Sequence, residues 1–276
     1  MTRQVTVDEY VRFRAEGFLI VRGLIDQADV EEVLDHMASE DGLGNRVHFL
    51  NRHLEIHERF LLHPRLLDVV EGLIGPDVLA LQTMLFVKPP GSAGQGYHQD
   101  SFHIITEPDT LIGAWVALDR ADTENGCLWL TPGSQNEPVY PDADEDAGHG
   151  GDTRLAGIFS VEGADDPDES RNGLTPVAAK YAGRERPAEL DPGDVVFFGG
   201  HVLHRSHANR SADRLRRSFV SHYCNARSLV PWDDDPLEEG EIGNERHILA
   251  RGSTHLPYAQ PLFGTPCAAN AKAPVG

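Results

Sequence analysis

"VLALQTMLFVKPPGSAGQGYHQD", residues 78–100, is where the chain changes character. It begins as an apolar, extended run and is stopped by Pro89, Pro90 and Gly91. After a glycine-rich turn it reaches His98 and Asp100, two residues apart. In an extended strand, side chains at i and i+2 leave from the same face, so this imidazole and this carboxylate point into one space. That is half of a metal site.

Upstream of this stretch the signals are helical. "TVDEYVRFRAEG" (6–17) has Thr6 as an N-cap, acids in its first turn, apolar residues at helical spacing and Gly17 as a stop. "FLIVRGL" (18–24) reads as a strand, "DQADVEEVLDHMAS" (26–39) as a second helix and "PRLLDVVEGLI" (64–74) as a third, closed by Gly75 and Pro76. Downstream, short β-rich runs alternate with Gly, Pro, Asn and Asp clusters: "LIGAWVALD" (111–119), "GCLWLTPGS" (126–134), "AELDPGDVVFFGG" (188–200) and "RRSFVSHYCN" (216–225). Helices at one end and many short strands at the other predict a mainly β fold, a sandwich or jelly roll with helical cover.

Composition narrows the partners. The 276 residues carry 44 acidic against 24 basic side chains, a formal charge of -20 that repels phosphate polyanions and anionic lipid heads. Neither nucleic acid nor a membrane is expected as a partner. Three scattered cysteines suggest no disulfide framework and no thiolate zinc cluster, and the amino-terminal residues show no secretory signal, so a soluble cytoplasmic protein is expected. Residues 1–276 read as one domain. The Asp-, Glu- and Gly-rich stretch at about 138–186 reads as a lid or a solvated acidic insertion within it.

A third ligand can come from "DPGDVVFFGGHVLHRSHANRS" (191–211), which offers His201, His204 and His207 after a strongly β-forming run. Two neutral imidazoles and one carboxylate on one side of an ion leave the opposite positions open, as suits non-haem Fe(II) and its oxygen chemistry. A closed structural zinc site has no such vacancy. An isolated H-x-D is common in turns and at strand ends, so the pair gains meaning only from its company.

That company resembles the phytanoyl-CoA dioxygenase family of Fe(II)- and 2-oxoglutarate-dependent oxygenases. The similar segments are "MLFVKPPGSAGQGYHQD" (84–100), "GAWVALDRADTENGCLWLTPGSQ" (113–135), "PGDVVFFGGHVLHRSHANRSADRLRRSFVSHY" (192–223) and the tail "HILARGSTHLPYAQPLFGTPC" (247–267). The resemblance implies a double-stranded β-helix (jelly roll) with flanking N-terminal helices. It implies His98, Asp100 and His204 as the Fe(II) ligands, with His201 and His207 as neighbours. It also implies that 2-oxoglutarate, the cosubstrate, is held at its far carboxylate by Arg216. The segment between His204 and this arginine is one residue longer than is usual in the family, which leaves Arg214 and Arg217 as alternatives.

By the same resemblance Ser206, Trp115, Met84 and Gln99 belong to the cosubstrate pocket, with Gln82 on the strand face of Met84. For Trp115 and Met84, ordinary core packing is the competing reading. Phe102 and His103 are candidate substrate neighbours. The reaction implied is oxidative decarboxylation of 2-oxoglutarate by dioxygen to succinate and CO2, coupled to hydroxylation of an unactivated C–H bond in a small metabolite. Asp100 supplies a ligand where related halogenases carry a small residue, which argues against halogenation. Two alternatives share the fold: a jelly-roll binding protein without catalysis, and a cupin-like metal oxygenase that does not use 2-oxoglutarate.

Overall fold

Thr6 opens the first helix, α1 (Val7–Glu16), with a reciprocal cap: its hydroxyl accepts from the Glu9 amide while the Glu9 carboxylate accepts from the Thr6 amide. The helix ends on Gly17 at φ 88°, a conformation that costs glycine little, and passes directly into β1 (Phe18–Val21). The computed structural model describes residues 3–39, 46–48, 54–140, 169–170, 174–231 and 247–254. Within these, α2 (Gln27–Ser39) and α4 (Pro64–Ile74) lie where the sequence predicts helices. A further helix, α3 (Glu55–Leu61), was not anticipated, because its seven residues are too few to display a helical period.

The strands follow as β2 (Arg46–His48), β3 (Val78–Lys88), β4 (Gly94–His98), β5 (Ile112–Ala117), β6 (Leu128–Leu130) and β7 (Glu169–Ser170). They continue as β8 (Arg186–Ala188), β9 (Val195–Gly199), β10 (His204–Ser206), β11 (Arg216–Asn225) and β12 (Ile248–Arg251). Two short helices, α5 (Asp100–His103) and α6 (Thr175–Ala179), interrupt them. The larger sheet runs β1-β9-β5-β11-β3-β12, with β2 also on β3, and the smaller runs β7-β4-β10-β6-β8. Pairing is antiparallel except between β4 and β7. This is the expected mainly β jelly roll with N-terminal helices.

Strand alternation sorts the larger sheet into two faces. Val195 and Phe197 of β9, Ala114 and Val116 of β5, and Phe219 and Tyr223 of β11 pack under the helices with Leu66, Val70 and Leu73. Their neighbours Val196, Phe198, Trp115, Val220 and Met84 face the smaller sheet, against Leu128, Leu130 and Val202. Because both faces are covered, β5 and β9 read as near-continuous apolar runs. The inner face between the sheets is where the polar residues of interest gather.

Residues 141–168 and 171–173 of the expected lid lie outside the described residues. Its flanks are fixed to the smaller sheet: β7 pairs with β4, and Leu174, Val177 and Ala178 pack on Tyr97, Tyr140 and Leu203.

Candidate metal centre

β4 and β10 are neighbouring strands of the smaller sheet, and their register places His98 directly opposite His204. The two rings are 4.0 Å apart between centroids. Each imidazole is oriented in the same way, with Nδ1 2.9 Å from a carbonyl two residues earlier, Gly96 for His98 and Val202 for His204. A carbonyl can only accept, so Nδ1 carries the proton and Nε2 is left with its lone pair facing inward. Phe198 backs this arrangement, its ring 4.7 Å from that of His204. Gly113, its partner across β5 and β9, leaves the space for that ring, since a Cβ there would lie 2.9 Å from it.

Asp100 reaches the same point from a different element. The strand ends at His98, Gln99 remains extended (φ -123°, ψ 128°) as a helix N-cap, and Asp100 begins α5. The expectation of one continuous strand through both residues is therefore corrected, although the shared direction survives because the backbone stays extended through Gln99. Asp100 Oδ1 lies 3.7 Å from His98 Nε2 and 3.6 Å from His204 Nε2. Ligand atoms of the three residues fall within 4.8 Å of one another, a group able to hold a metal ion.

The protonation states suit this use. Burial, with His204 alongside, pulls His98 down to about 3 despite the carboxylate, so its imidazole is neutral near pH 7. Burial raises Asp100, but His204, His222 and His98 more than offset it, and the carboxyl sits well below the usual carboxylate range. Two imidazoles and one carboxylate are a borderline-to-hard donor set suited to a divalent transition metal. His201 and His207 point elsewhere: His201 bridges the Glu137 carbonyl and Asp109, each at 2.7 Å, and His207 lies edge-on to Trp129.

The second oxygen of Asp100 has its own partner, which sequence reasoning missed. His222 Nε2 is 3.1 Å from Asp100 Oδ2, and Gln82 Nε2 is 3.3 Å from His222 Nδ1. Gln82 and His222 are register partners on β3 and β11, both buried. The available signal was alternation along "RRSFVSHY", which puts His222 on the face of Arg216.

Arg216 is buried on this inner face, 4% exposed, with its guanidinium carbon 5.5 Å from the centre of the Trp115 ring. It donates to Ser218 Oγ at 3.0 Å, while its Nε has no hydrogen-bond partner among the described residues. Burial pulls it down to about 10, which leaves it charged at neutral pH. Among the described residues no carboxylate pairs with it. Its neighbours are committed: Arg217 forks onto Asp119, and Arg214 onto Asp122 with Glu124 beyond.

The other expected pocket residues divide. Met84 and Trp115 share the inner apolar cluster, and Ser206 Oγ is 3.1 Å from Lys88 Nζ, which lies opposite Arg216 across β3 and β11. Gln99 is tied to the scaffold, its amide donating to the Pro138 and His201 carbonyls and accepting from the Tyr140 amide. Phe102 is buried on α5 with its ring edge-on to that of His103, which is exposed.

The two facing sheets and the convergent His-x-Asp and distal His define a class, a jelly-roll protein with a three-residue metal-binding group on its inner face. The chain belongs to the phytanoyl-CoA dioxygenase family, whose model matches residues 13–218. Among its relatives, the peroxisomal phytanoyl-CoA dioxygenase of Rattus norvegicus is 29% identical over 231 residues, 79% of this chain and 62% of that protein. The chain thus spans less than two thirds of that relative. Of solved structures, the epimerase SnoN in complex with Fe3+, alpha ketoglutarate and nogalamycin RO aligns with TM-score 0.65 at 22% identity, covering 85% of this chain and 94% of that one. The alpha ketoglutarate dependent carbocyclase SnoK aligns with TM-score 0.61 at 21% identity, covering 86% and 95%. Among the described residues no helix is long and apolar enough to cross a membrane.

Proposed function

We propose that this chain is an Fe(II)- and 2-oxoglutarate-dependent oxygenase acting on an unactivated C–H bond of a small metabolite, with hydroxylation as its default outcome. One observation carries the reading: a three-ligand metal group and a buried arginine with no carboxylate partner among the described residues occur on the same inner face. A protein that only binds a metal has use for the first and none for the second. So has an oxygenase that dispenses with 2-oxoglutarate. An isolated buried charge is costly, and the anionic cosubstrate supplies the missing partner.

His98, Asp100 and His204 would hold the iron. Arg216 would clamp the far carboxylate of 2-oxoglutarate through its planar fork, with Ser206 nearby, Trp115 stacked on the guanidinium and Met84 forming the apolar wall. When bound, iron and 2-oxoglutarate supply the oxidising power, by decarboxylation to succinate and CO2 with dioxygen. The protein's own part is positional: the Gly96 and Val202 carbonyls aim the imidazoles, and the strand pairing of β4 with β10 fixes their separation. The three protein ligands, all on one side, would leave the opposite side of the ion open to the cosubstrate and dioxygen. Asp100, by filling the carboxylate position, argues against halogenation.

The strong negative charge favours a neutral or cationic substrate over a CoA ester. SnoN and SnoK, an epimerase and a carbocyclase, show that outcomes other than hydroxylation occur on this fold. The test therefore reads succinate rather than a chosen product. Protein supplied with Fe(II), 2-oxoglutarate and air should form succinate slowly, and faster with an accepted member of a metabolite panel. Iron-independent or absent 2-oxoglutarate consumption across the panel would refute the proposal.

A further inference from the structure

The carboxylate of Asp100 is used asymmetrically. Oδ1 faces both ligand imidazoles at 3.7 and 3.6 Å, whereas Oδ2 faces away from them onto His222 at 3.1 Å. The proton between Asp100 and His222 can be located. Gln82 Nε2 lies against His222 Nδ1, and an amide NH2 can only donate, so Nδ1 is the acceptor and Nε2 bears the hydrogen. Asp100 Oδ2 therefore receives an N–H donor whose tautomer is imposed by Gln82. The two residues behind the carboxylate are buried, His222 2% and Gln82 3% exposed, which disfavours water as a substitute for the donor.

We infer that His222 is a positioning residue that restricts Asp100 to a single ligating oxygen. This rests on the iron site proposed above. A carboxylate can bind a metal through one oxygen or two. Bound through two, Asp100 would occupy four of six positions together with His98 and His204, and a chelating 2-oxoglutarate would fill the rest, leaving none for dioxygen. With Oδ2 held by the His222 N–H, Oδ1 is the oxygen presented to the ion. The Gln82–His222–Asp100 series therefore preserves the vacancy on which the reaction depends, in addition to orienting the ligand. Gln82 accordingly serves the iron through His222, a different task from lining the cosubstrate pocket.

The test compares His222→Phe, which fills the space without a donor, with His222→Gln, whose amide reaches about as far as Nε2 and restores one. Anaerobic Fe(II) titration should show about ten- to hundredfold weaker binding in His222→Phe and recovery to within about threefold of wild type in His222→Gln. With Co(II) as a spectroscopic probe, wild type and His222→Gln should share a ligand-field spectrum that His222→Phe does not. Gln82→Leu, which frees the tautomer without touching Asp100, should give an intermediate loss, and it carries the test if His222→Phe fails to fold. Wild-type affinity and spectrum in both His222→Phe and Gln82→Leu, or in Gln82→Leu where His222→Phe does not fold, would overturn the inference alone. A wild-type protein that binds neither metal would overturn the iron site and the inference with it.

Discussion

Arg216 carries the distinction between a metal protein and a 2-oxoglutarate enzyme. Losing a buried bidentate charge pair costs roughly 2 to 5 kcal/mol. Arg216→Leu is accordingly expected to weaken 2-oxoglutarate binding at least about tenfold, a step of about 1.4 kcal/mol, while Fe(II) still binds. Arg214→Leu and Arg217→Leu should change it little, because those guanidinium groups already face Asp122, Glu124 and Asp119. Anaerobic titration of the three variants checks this, and a selective loss in either neighbour would move the anchor. His98→Ala, Asp100→Ala and His204→Ala should each abolish turnover and weaken Fe(II) binding, while His201→Ala, whose side chain bridges Asp109 and Glu137, should retain the metal. The metal-binding triad was legible because motifs encode residue types at fixed spacing. The role of His222 was not, since it depends on a contact 122 residues apart in sequence.

At the scale of elements, α1 was legible to the residue because its signals are local. Thr6→Ala removes the hydroxyl that accepts from the Glu9 amide but keeps the Thr6 backbone donor to Glu9, and should cost about 1 kcal/mol, read as a lower urea midpoint with an unchanged slope. Gly17→Ala should cost more, about 1 to 3 kcal/mol. It forces alanine to φ 88° and brings a Cβ to 2.7 Å from Gln135 and Val202, beside the backbone bond from the Gly199 amide to the Gly17 carbonyl. Equal midpoints for the two variants would mean that this junction relaxes freely. The long strands β3, β5, β9 and β11 were equally readable from their apolar, β-branched content. The three-residue strands β6, β8 and β10 were not bounded by sequence, because tertiary pairing decides segments that short.

The whole molecule is a sandwich whose two faces have different tasks. Helices cover one face of the larger sheet and make it a stable core, which frees the inner face to carry buried polar groups. Division into helices followed by strands was visible in the sequence, whereas the strand order β1-β9-β5-β11-β3-β12 was not, since sequence neighbours are separated in it. The helical face holds an acid-sensitive residue, His57, buried against Phe219 with neither ring nitrogen hydrogen-bonded among the described residues. Burial, aided by His36, pulls its pKa from 6.5 to about 4. The unfolded chain takes up a proton near pH 6.5 that the folded chain refuses until about pH 4, so this contribution is intact above pH 6.5 and is lost as pH falls toward 4. Metal-free protein should lose up to about 3 kcal/mol over that window through this residue. His57→Leu should flatten the fall in urea stability between pH 7 and 4, and parallel profiles would remove His57 as the cause. For the protein as a whole, the decisive measurement is the visible absorption of the anaerobic protein titrated with Fe(II) and then 2-oxoglutarate. A weak metal-to-ligand charge-transfer band is expected, saturating at one cosubstrate per iron and lost in Asp100→Ala. Folded, iron-loaded wild-type protein that shows no band at saturating 2-oxoglutarate would contradict it.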